Sequence, residues 1–355
     1  MKKVLLFTGA GMSVPLGLPS TIDFMESVNS GLQPVTRHII NHLNSSGHGN
    51  DIEWILSELQ SFKNGGSLIE FLIPHAATDQ SGRNGVNSIT TGISNLRFQC
   101  DSELVRIKKI IFDKLIRYKS DDASSLYVNV VRELKDFFKD IRISIVTANY
   151  DLTFEDAFES RESFFESEGI KDIDFSFRTK NSRTVYDPSH EFDWRVGYIE
   201  YLKLHGSLDW HHDARGICTR NGSVTMPDKP DEMAILYPGF KGVPDKEPFI
   251  TLHNKFDLRL HQADEVIVVG FAFRDSYINN IFERMLRAKP DSNVYVINPV
   301  KKENFPPDSQ IPWFVNNFKN FKLVNRKVEI SETPLGLNDI FGKKSQKIDE
   351  AGGIG

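Results

Sequence analysis

Five short segments place residues that can hold and cleave a phosphorylated ligand directly after apolar runs. They are Gly9-Ala10-Gly11-Met12-Ser13, Thr147-Ala148-Asn149-Tyr150-Asp151, Leu204-His205-Gly206-Ser207, Gly270-Phe271-Ala272-Phe273-Arg274-Asp275 and Ile297-Asn298-Pro299. A glycine pair carries no Cβ, so the backbone can approach a ligand closely. The unpaired N–H groups of a following helix favour phosphate. Histidine titrates in the range that suits a general base. Singly, each segment is ordinary: a lone Gly-x-Gly is common, a lone Asn-x-Asp is most often a cap or turn, and His-Gly fits a surface loop. Their shared place at strand ends gives them weight.

The elements that must position these residues are legible from pattern. Val4-Leu5-Leu6-Phe7 is a short apolar run that ends abruptly in glycine, and Ser13 and Pro15 predict a turn leading into a helix. Further strands are expected over 141–147, 201–205, 266–270 and 294–297, each apolar for most of its length, as in a parallel sheet covered on both faces. Helical spacing joins Leu104, Ile107, Ile110, Ile111 and Leu115, then Val130, Val131, Leu134, Phe137 and Phe138, then Ile278, Ile281, Phe282, Met285 and Leu286. Alternating strands and helices predict an α/β fold, a Rossmann-like doubly wound and mostly parallel sheet whose carboxyl edge lines the ligand crevice.

The first two strands lie too far apart for a simple crossover. Residues 35–138 are therefore expected to form a large helical insertion or subdomain, with a Gly/Asn/Ser-rich loop over 78–95. A loop-rich insertion is expected over 168–200. The expected organisation is one domain over 1–345 and a flexible tail over 346–355.

The 355 residues carry 43 Lys plus Arg against 48 Asp plus Glu, a formal charge of −5. That balance gives no support to a nucleic-acid surface. Only Cys100 and Cys218 are present, which excludes a four-cysteine zinc site and a disulfide framework and fits a reducing cytoplasm. The sequence lacks an apolar run of about 18 residues and a secretory pattern, so a cytoplasmic protein with no membrane contact is expected. The dinucleotide fingerprint Gly-x-Gly-x-x-Gly would need glycine where Val14 stands, and no strand-end acid follows at the right distance. Hydride transfer is disfavoured. The absence of Gly-Lys-Ser/Thr disfavours a P-loop ATPase.

In this order the motifs resemble the sirtuins. Gly9 to Pro19 is similar to their first signature, whose Gly-Ala-Gly-x-Ser loop holds NAD. Thr147-Ala148-Asn149-Tyr150-Asp151 is similar to their Thr-Gln-Asn-x-Asp, and His205-Gly206 to their catalytic His-Gly. Gly270-Phe271-Ala272-Phe273 stands where sirtuins have a Gly-Thr-Ser phosphate loop. It is closer to the sirtuin-like NAD-hydrolysing effectors of bacterial anti-phage systems. Asn298 fits the late strand whose Asn reaches the adenosine ribose. The sequence departs from the protein-deacylating members in two ways. It has Ser20-Thr21-Ile22-Asp23-Phe24 where they carry Asp-Phe-Arg, and its two cysteines cannot supply their zinc module of two Cys-x-x-Cys pairs.

The resemblance implies NAD as substrate, with Asn149 and His205 catalytic. Asn149 would orient the nicotinamide ribose and a water beneath C1′, and His205 would act as general base. Gly9, Ala10 and Gly11 would offer N–H groups to the diphosphate. Ser13 would bind phosphate or cap a helix; Asp151 would fix Asn149 or cap the next helix. Gly270, Phe271, Phe273 and Asn298 would shape the phosphate and adenosine subsites, although Phe273 also reads as core and Asp275 as a helix cap. His211, His212 and Cys218 could form part of a metal site, but a polar loop is the preferred reading and no metal is expected. The implied function is NAD glycohydrolase action as a toxic anti-phage effector, gated by homo-oligomerisation or by a HerA-like hexameric ATPase partner. A non-catalytic NAD or ADP-ribose sensor and an NAD-dependent deacylase or ADP-ribosyltransferase remain alternatives, and hydrolysis is not separable here from cyclisation of ADP-ribose.

Overall fold

Val4, Leu5, Leu6 and Phe7 are wholly buried, as a strand covered on both faces must be. They form β1 (Lys2–Thr8), followed by two 3-10 turns, Ala10–Met12 and Val14–Leu16. The chain continues through α1 (Gln80–Leu115), α2 (Ser120–Phe138), β2 (Ile141–Thr147), α3 (Thr153–Ser160) and α4 (Glu162–Ser167). Next come β3 (Asp172–Asp174), β4 (Phe177–Lys180), β5 (Arg183–Tyr186), β6 (Tyr198–Lys203), β7 (Gly206–His212), β8 (Cys218–Arg220) and β9 (Met233–Ile235). The last part contains α5 (Phe249–Gln262), β10 (Glu265–Val269), α6 (Ser276–Ala288), β11 (Val294–Ile297), α7 (Ile311–Asn317), β12 (Phe321–Val324) and α8 (Leu337–Phe341). This computed structural model describes residues 1–20, scattered positions between 23 and 61, and 80–342 except 181–182, 191–193, 195, 222–232, 237–243, 245, 301–304 and 306–307; for 80–90 and 92–93 it describes backbone alone.

Seven strands pair in the order β12-β11-β10-β1-β2-β6-β3, every neighbour parallel. The register sets Val324, Ile297, Val269, Thr8, Thr147 and Lys203 in one row at the carboxyl edge. Each of the five chemistry-bearing segments starts at or just past that row.

Alternation along the strands divides the core in two. Leu5, Phe7, Val266, Val268 and Val296 pack toward Phe256 of α5, Ile278 and Phe282 of α6 and Phe314 of α7. Val4, Leu6, Ile143, Ile145 and Ile267 pack toward Val130 and Leu134 of α2 and Phe154 of α3. Helices thus cover both faces, and the fold is the mixed α/β, mostly parallel, doubly wound class expected from the sequence. No helix among the described residues is long and apolar enough to cross a membrane.

Several expectations are corrected. Of the loop predicted over 78–95, residues 80–95 are instead the start of α1, and 78–79 lie outside the described residues. Once the apolar turns around Leu104 to Leu115 nucleate the helix, extension through Ser and Asn is cheap, and each Gly costs only about 1 kcal/mol. The region 168–200, expected as a loop-rich insertion, contains the short strands β3, β4 and β5 and the start of β6. His211, His212 and Cys218 lie in strands, not in a polar loop: His211 faces Thr219 and His212 faces Cys218 across an antiparallel pair. These strands belong to a second sheet, β4-β5-β8-β7-β9, which the sequence pattern did not announce. No α-helix starts at the first glycine loop; the two 3-10 turns take its place. Much of 35–79 and the tail 346–355 lie outside the described residues.

Candidate functional site

The first glycine loop is shaped by a second glycine loop. A Cβ on Gly11 would lie 2.6 Å from Gly270 Cα, and one on Gly270 would lie 2.5 Å from Gly11 Cα. Only glycine permits that crossing, and Gly270 also has φ +63°. The contact draws β1 and β10 together beyond their last paired residues. It also uses groups expected to bind phosphate: the Gly9 N–H donates to Val269 O at 2.9 Å and the Gly11 N–H to Gly270 O at 3.0 Å. Among the described residues the Ala10 N–H has no backbone acceptor, so it is the donor of the three that remains for a ligand.

Beside this crossing sits a buried polar cluster. Asn149 Nδ2 donates to Gly9 O and to Ser13 Oγ, each at 3.1 Å. Ser13 Oγ donates in turn to Asp151 Oδ2 at 2.9 Å. Ser13 therefore neither caps a helix nor turns its hydroxyl proton outward, because a carboxylate is the stronger acceptor within reach. Asp151 accepts on both sides: Oδ2 from the Ser13 hydroxyl, and Oδ1 from the Thr153 N–H at 3.2 Å at the start of α3. Tyr127 OH lies 3.0 Å from Thr153 Oγ1, and burial pushes its phenol well above the ordinary tyrosine range.

Lys203, at the end of β6, fixes the loop from below. Its ammonium donates to the carbonyls of Asp151 and Tyr150 and to Glu155 Oε1, the last at 2.8 Å. Both Lys203 and Glu155 are buried. Burial raises the Glu155 carboxyl, and the Lys203 charge opposes that rise. Nothing in the spacing of a strand residue announces such a role.

His205 occupies the join where the chain leaves the parallel sheet after Lys203 and enters the second sheet at Gly206. Its ring lies 6.2 Å from that of Tyr150, which brings it beside the Asn149 loop. Its Nε2 is 3.1 Å from Asp275 Oδ2, and its buried Nδ1 has no hydrogen-bond partner among the described residues. On the other side, 6.3 Å away, is the ring of His253, whose pKa is lowered to about 4, first of all by burial. Sequence reasoning missed His253 and gave Asp275 only the helix cap.

The loop from Gly270 to Asp275 contains a second left-handed residue, Phe273, at φ +53°. That conformation costs a non-glycine residue about 1 kcal/mol or more. The Phe273 ring, wholly buried against Phe282, Phe314 and Phe321, holds it in place. The two turns aim Asp275 at His205. They also send the Phe271 and Phe273 rings into the core, which is the core reading left open for Phe273 and a correction for Phe271. Asn298, just past β11, is buried and its Oδ1 accepts the Val300 N–H at 3.0 Å.

Among the described residues no group of three His, Cys, Asp or Glu is arranged to hold a metal ion. Burial pushes the Cys218 thiol far up, which makes it a poor source of thiolate.

Residues 143–318 match the family described as SIR2-like domain. That span includes Asn149, Asp151, His205, the Gly270–Phe273 stretch and Asn298, and leaves the first glycine loop outside. No curated protein matches the sequence significantly. Among solved structures, a mutant Sir2 homologue in complex with 2′-O-acetyl ADP-ribose is 12% identical with TM-score 0.44, over 98% of this chain and 95% of that one. A Sir2 homologue in complex with NAD is 14% identical with TM-score 0.42, over 92% and 84%. Sir2Tm bound to a propionylated peptide is 14% identical with TM-score 0.43, over 96% and 93%. Residues 143–318 of this mostly parallel, doubly wound α/β chain thus match a SIR2-like domain.

Proposed function

We propose that the protein binds NAD along the carboxyl edge of the parallel sheet and hydrolyses the bond between nicotinamide and ribose, giving nicotinamide and ADP-ribose. The observation that carries this reading is the convergence of Asn149, Asp151 and His205 with the two crossed glycine loops, together with a buried imidazole nitrogen that has no partner among the described residues. Such an orphaned acceptor fits a substrate hydroxyl or a water.

Nicotinamide leaves as a neutral molecule from a cationic nitrogen, so the reaction needs positioning and a proton acceptor more than an acid. Asn149 holds the ribose and the attacking water, and His205 takes the proton. Ala10 N–H and the Gly270 loop face the diphosphate, and Asn298 the adenosine ribose. Deacylation is the weaker reading because two buried, separate cysteines cannot form the zinc module that walls an acyl-lysine groove.

Purified protein incubated with NAD should release nicotinamide, followed by chromatography. Asn149→Ala and His205→Ala should each lower the rate by about 10²–10⁴-fold. Full turnover by both variants would show the site to be misplaced. In the cell we place this activity in anti-phage defence, as the resemblance to NAD-hydrolysing effectors suggests, with turnover gated by self-association or a HerA-like ATPase. Light scattering should show oligomers whose dissociation lowers turnover. A fully active monomer with no partner present would overturn the gating.

A further inference from the structure

Asp275 touches two groups at once. Its Oδ1 accepts the Ile278 N–H at 2.9 Å as the N-cap of α6, and its Oδ2 faces His205 Nε2 at 3.1 Å. Burial alone would raise this carboxyl, but the hydrogen bond from His205, with that from the Ile278 N–H, outweighs it and holds the pKa below the ordinary carboxylate range. An ionised carboxylate can only accept, so the nitrogen facing it carries the proton. Were Nδ1 protonated as well, its N–H would be buried without an acceptor, at a cost of about 1–3 kcal/mol. The resting imidazole is therefore the neutral Nε2–H tautomer with a bare Nδ1.

The neighbours reinforce this. The groups facing His205 are Asp275 from the loop before α6, His253 from α5 and Tyr150 from the loop after β2; Tyr277 of α6 lies against His253. His253 donates its Nδ1–H to Phe249 O at 2.8 Å and stays neutral, so it does not compete for the Asp275 charge.

We propose that Asp275 is a positioning residue that fixes the tautomer of His205 and thereby makes Nδ1 the atom that receives the proton of the attacking oxygen. The chemical half of this proposal rests on the NAD-cleavage reading. In that step the water oxygen bonds to C1′ and the C1′–N bond breaks, its electron pair passing to the nicotinamide nitrogen. The water proton goes to Nδ1, Asp275 balances the imidazolium, and the proton then returns to solvent.

Asp275→Asn separates the two functions of the side chain. The amide oxygen still accepts the Ile278 N–H, since Asn is a good N-cap. The amide N–H₂ then faces Nε2 and demands an acceptor there, which moves the imidazole proton to Nδ1. In protein labelled with ¹⁵N-histidine, with His205→Gln used for assignment, wild-type His205 should show an unprotonated Nδ1 and a protonated Nε2. Asp275→Asn should exchange the two signatures with little change in melting temperature. Its kcat for nicotinamide release should fall about 10³-fold with KM within about threefold of wild type. Asp275→Ser, which keeps a cap, should give a mixture of tautomers and an intermediate kcat. A protonated Nδ1 in the wild type, or no exchange in Asp275→Asn, overturns the tautomer assignment whether or not NAD is the substrate. Exchange with an unchanged kcat overturns the catalytic role while leaving NAD cleavage standing. Absence of nicotinamide release from the wild type overturns the NAD reading, and the catalytic half with it, while the tautomer result stands.

Discussion

Gly206→Ala should lower the melting temperature by roughly 4 °C and abolish nicotinamide release. Gly206 has φ +84°, and a Cβ there would lie 2.0 Å from Ala234 O and 3.0 Å from Ala234 C. Both are backbone atoms of β9, which cannot turn aside as a side chain would. Gly206 pairs with Ile235, and the Leu236 N–H donates to His205 O at 2.9 Å, so β9 can yield only by pulling at His205. The left-handed conformation costs about 1–2 kcal/mol and forced expansion of a packed contact about 1–3, for a sum of roughly 3 kcal/mol. Gly216 is the matched control: its φ is +75°, but nothing lies within 4 Å of its added Cβ. Gly216→Ala should cost only about 1–2 kcal/mol and leave turnover intact. Equal melting temperatures for the two variants in calorimetry would refute the steric account.

Lys203→Met should destabilise the protein by about 3–5 kcal/mol, because it leaves the Glu155 carboxylate buried and unpaired. The loss should depend on pH in a definite direction. The folded-state pKa of Glu155 is already raised by burial above the ordinary 4.5, and removing the Lys203 charge that opposes the rise lifts it further. A group with a raised folded pKa binds its proton more tightly when folded, so its stability is fully present below pH 4.5 and lost as pH rises through the folded value. The deficit of Lys203→Met relative to wild type should therefore be smallest near pH 4.5 and grow toward neutrality. The double variant Lys203→Met with Glu155→Gln should recover much of the loss at neutral pH. Chemical denaturation at several pH values measures both effects, and a deficit independent of pH would show that Glu155 is not its source.

The parallel sheet was legible because its strands are buried on both faces, which leaves unbroken apolar runs with abrupt polar ends. The runs 141–147 and 294–297 coincide with β2 and β11 residue for residue. The second sheet was not legible, because β4, β5 and β8 are three or four residues long and carry Arg178, Arg183 and Arg220. Their conformation is fixed by neighbours across the sheet rather than by their own composition. The same distinction runs through the site. Asn149 and His205 stand out as polar residues at strand ends. Lys203 and Asp275 do not, because each acts on a partner far along the chain: Lys203 on Glu155, 48 residues away, and Asp275 on His205, 70 away. Phe271 was expected in the crevice and Phe273 in the crevice or the core; both rings lie in the core, because a motif fixes the path of a loop, whereas two left-handed residues decide where its rings point.

The crossing of the first glycine loop with Gly270 also has a temporal meaning. β1 is the central strand of the sheet, yet its flanking partners are β2, which starts at Ile141, and β10, which starts at Glu265. At ribosomal rates of about 5–20 residues per second, β1 waits roughly 10–50 s for β10 to be made. During that time Val4 to Phe7, wholly buried in the finished protein, has one sheet edge unpaired. The nascent chain thus holds an apolar strand that a chaperone would recognise, and its ligand crevice stays open until the last third of the described fold has been synthesised. A site assembled in this order is incomplete in any chain that stops short of β10.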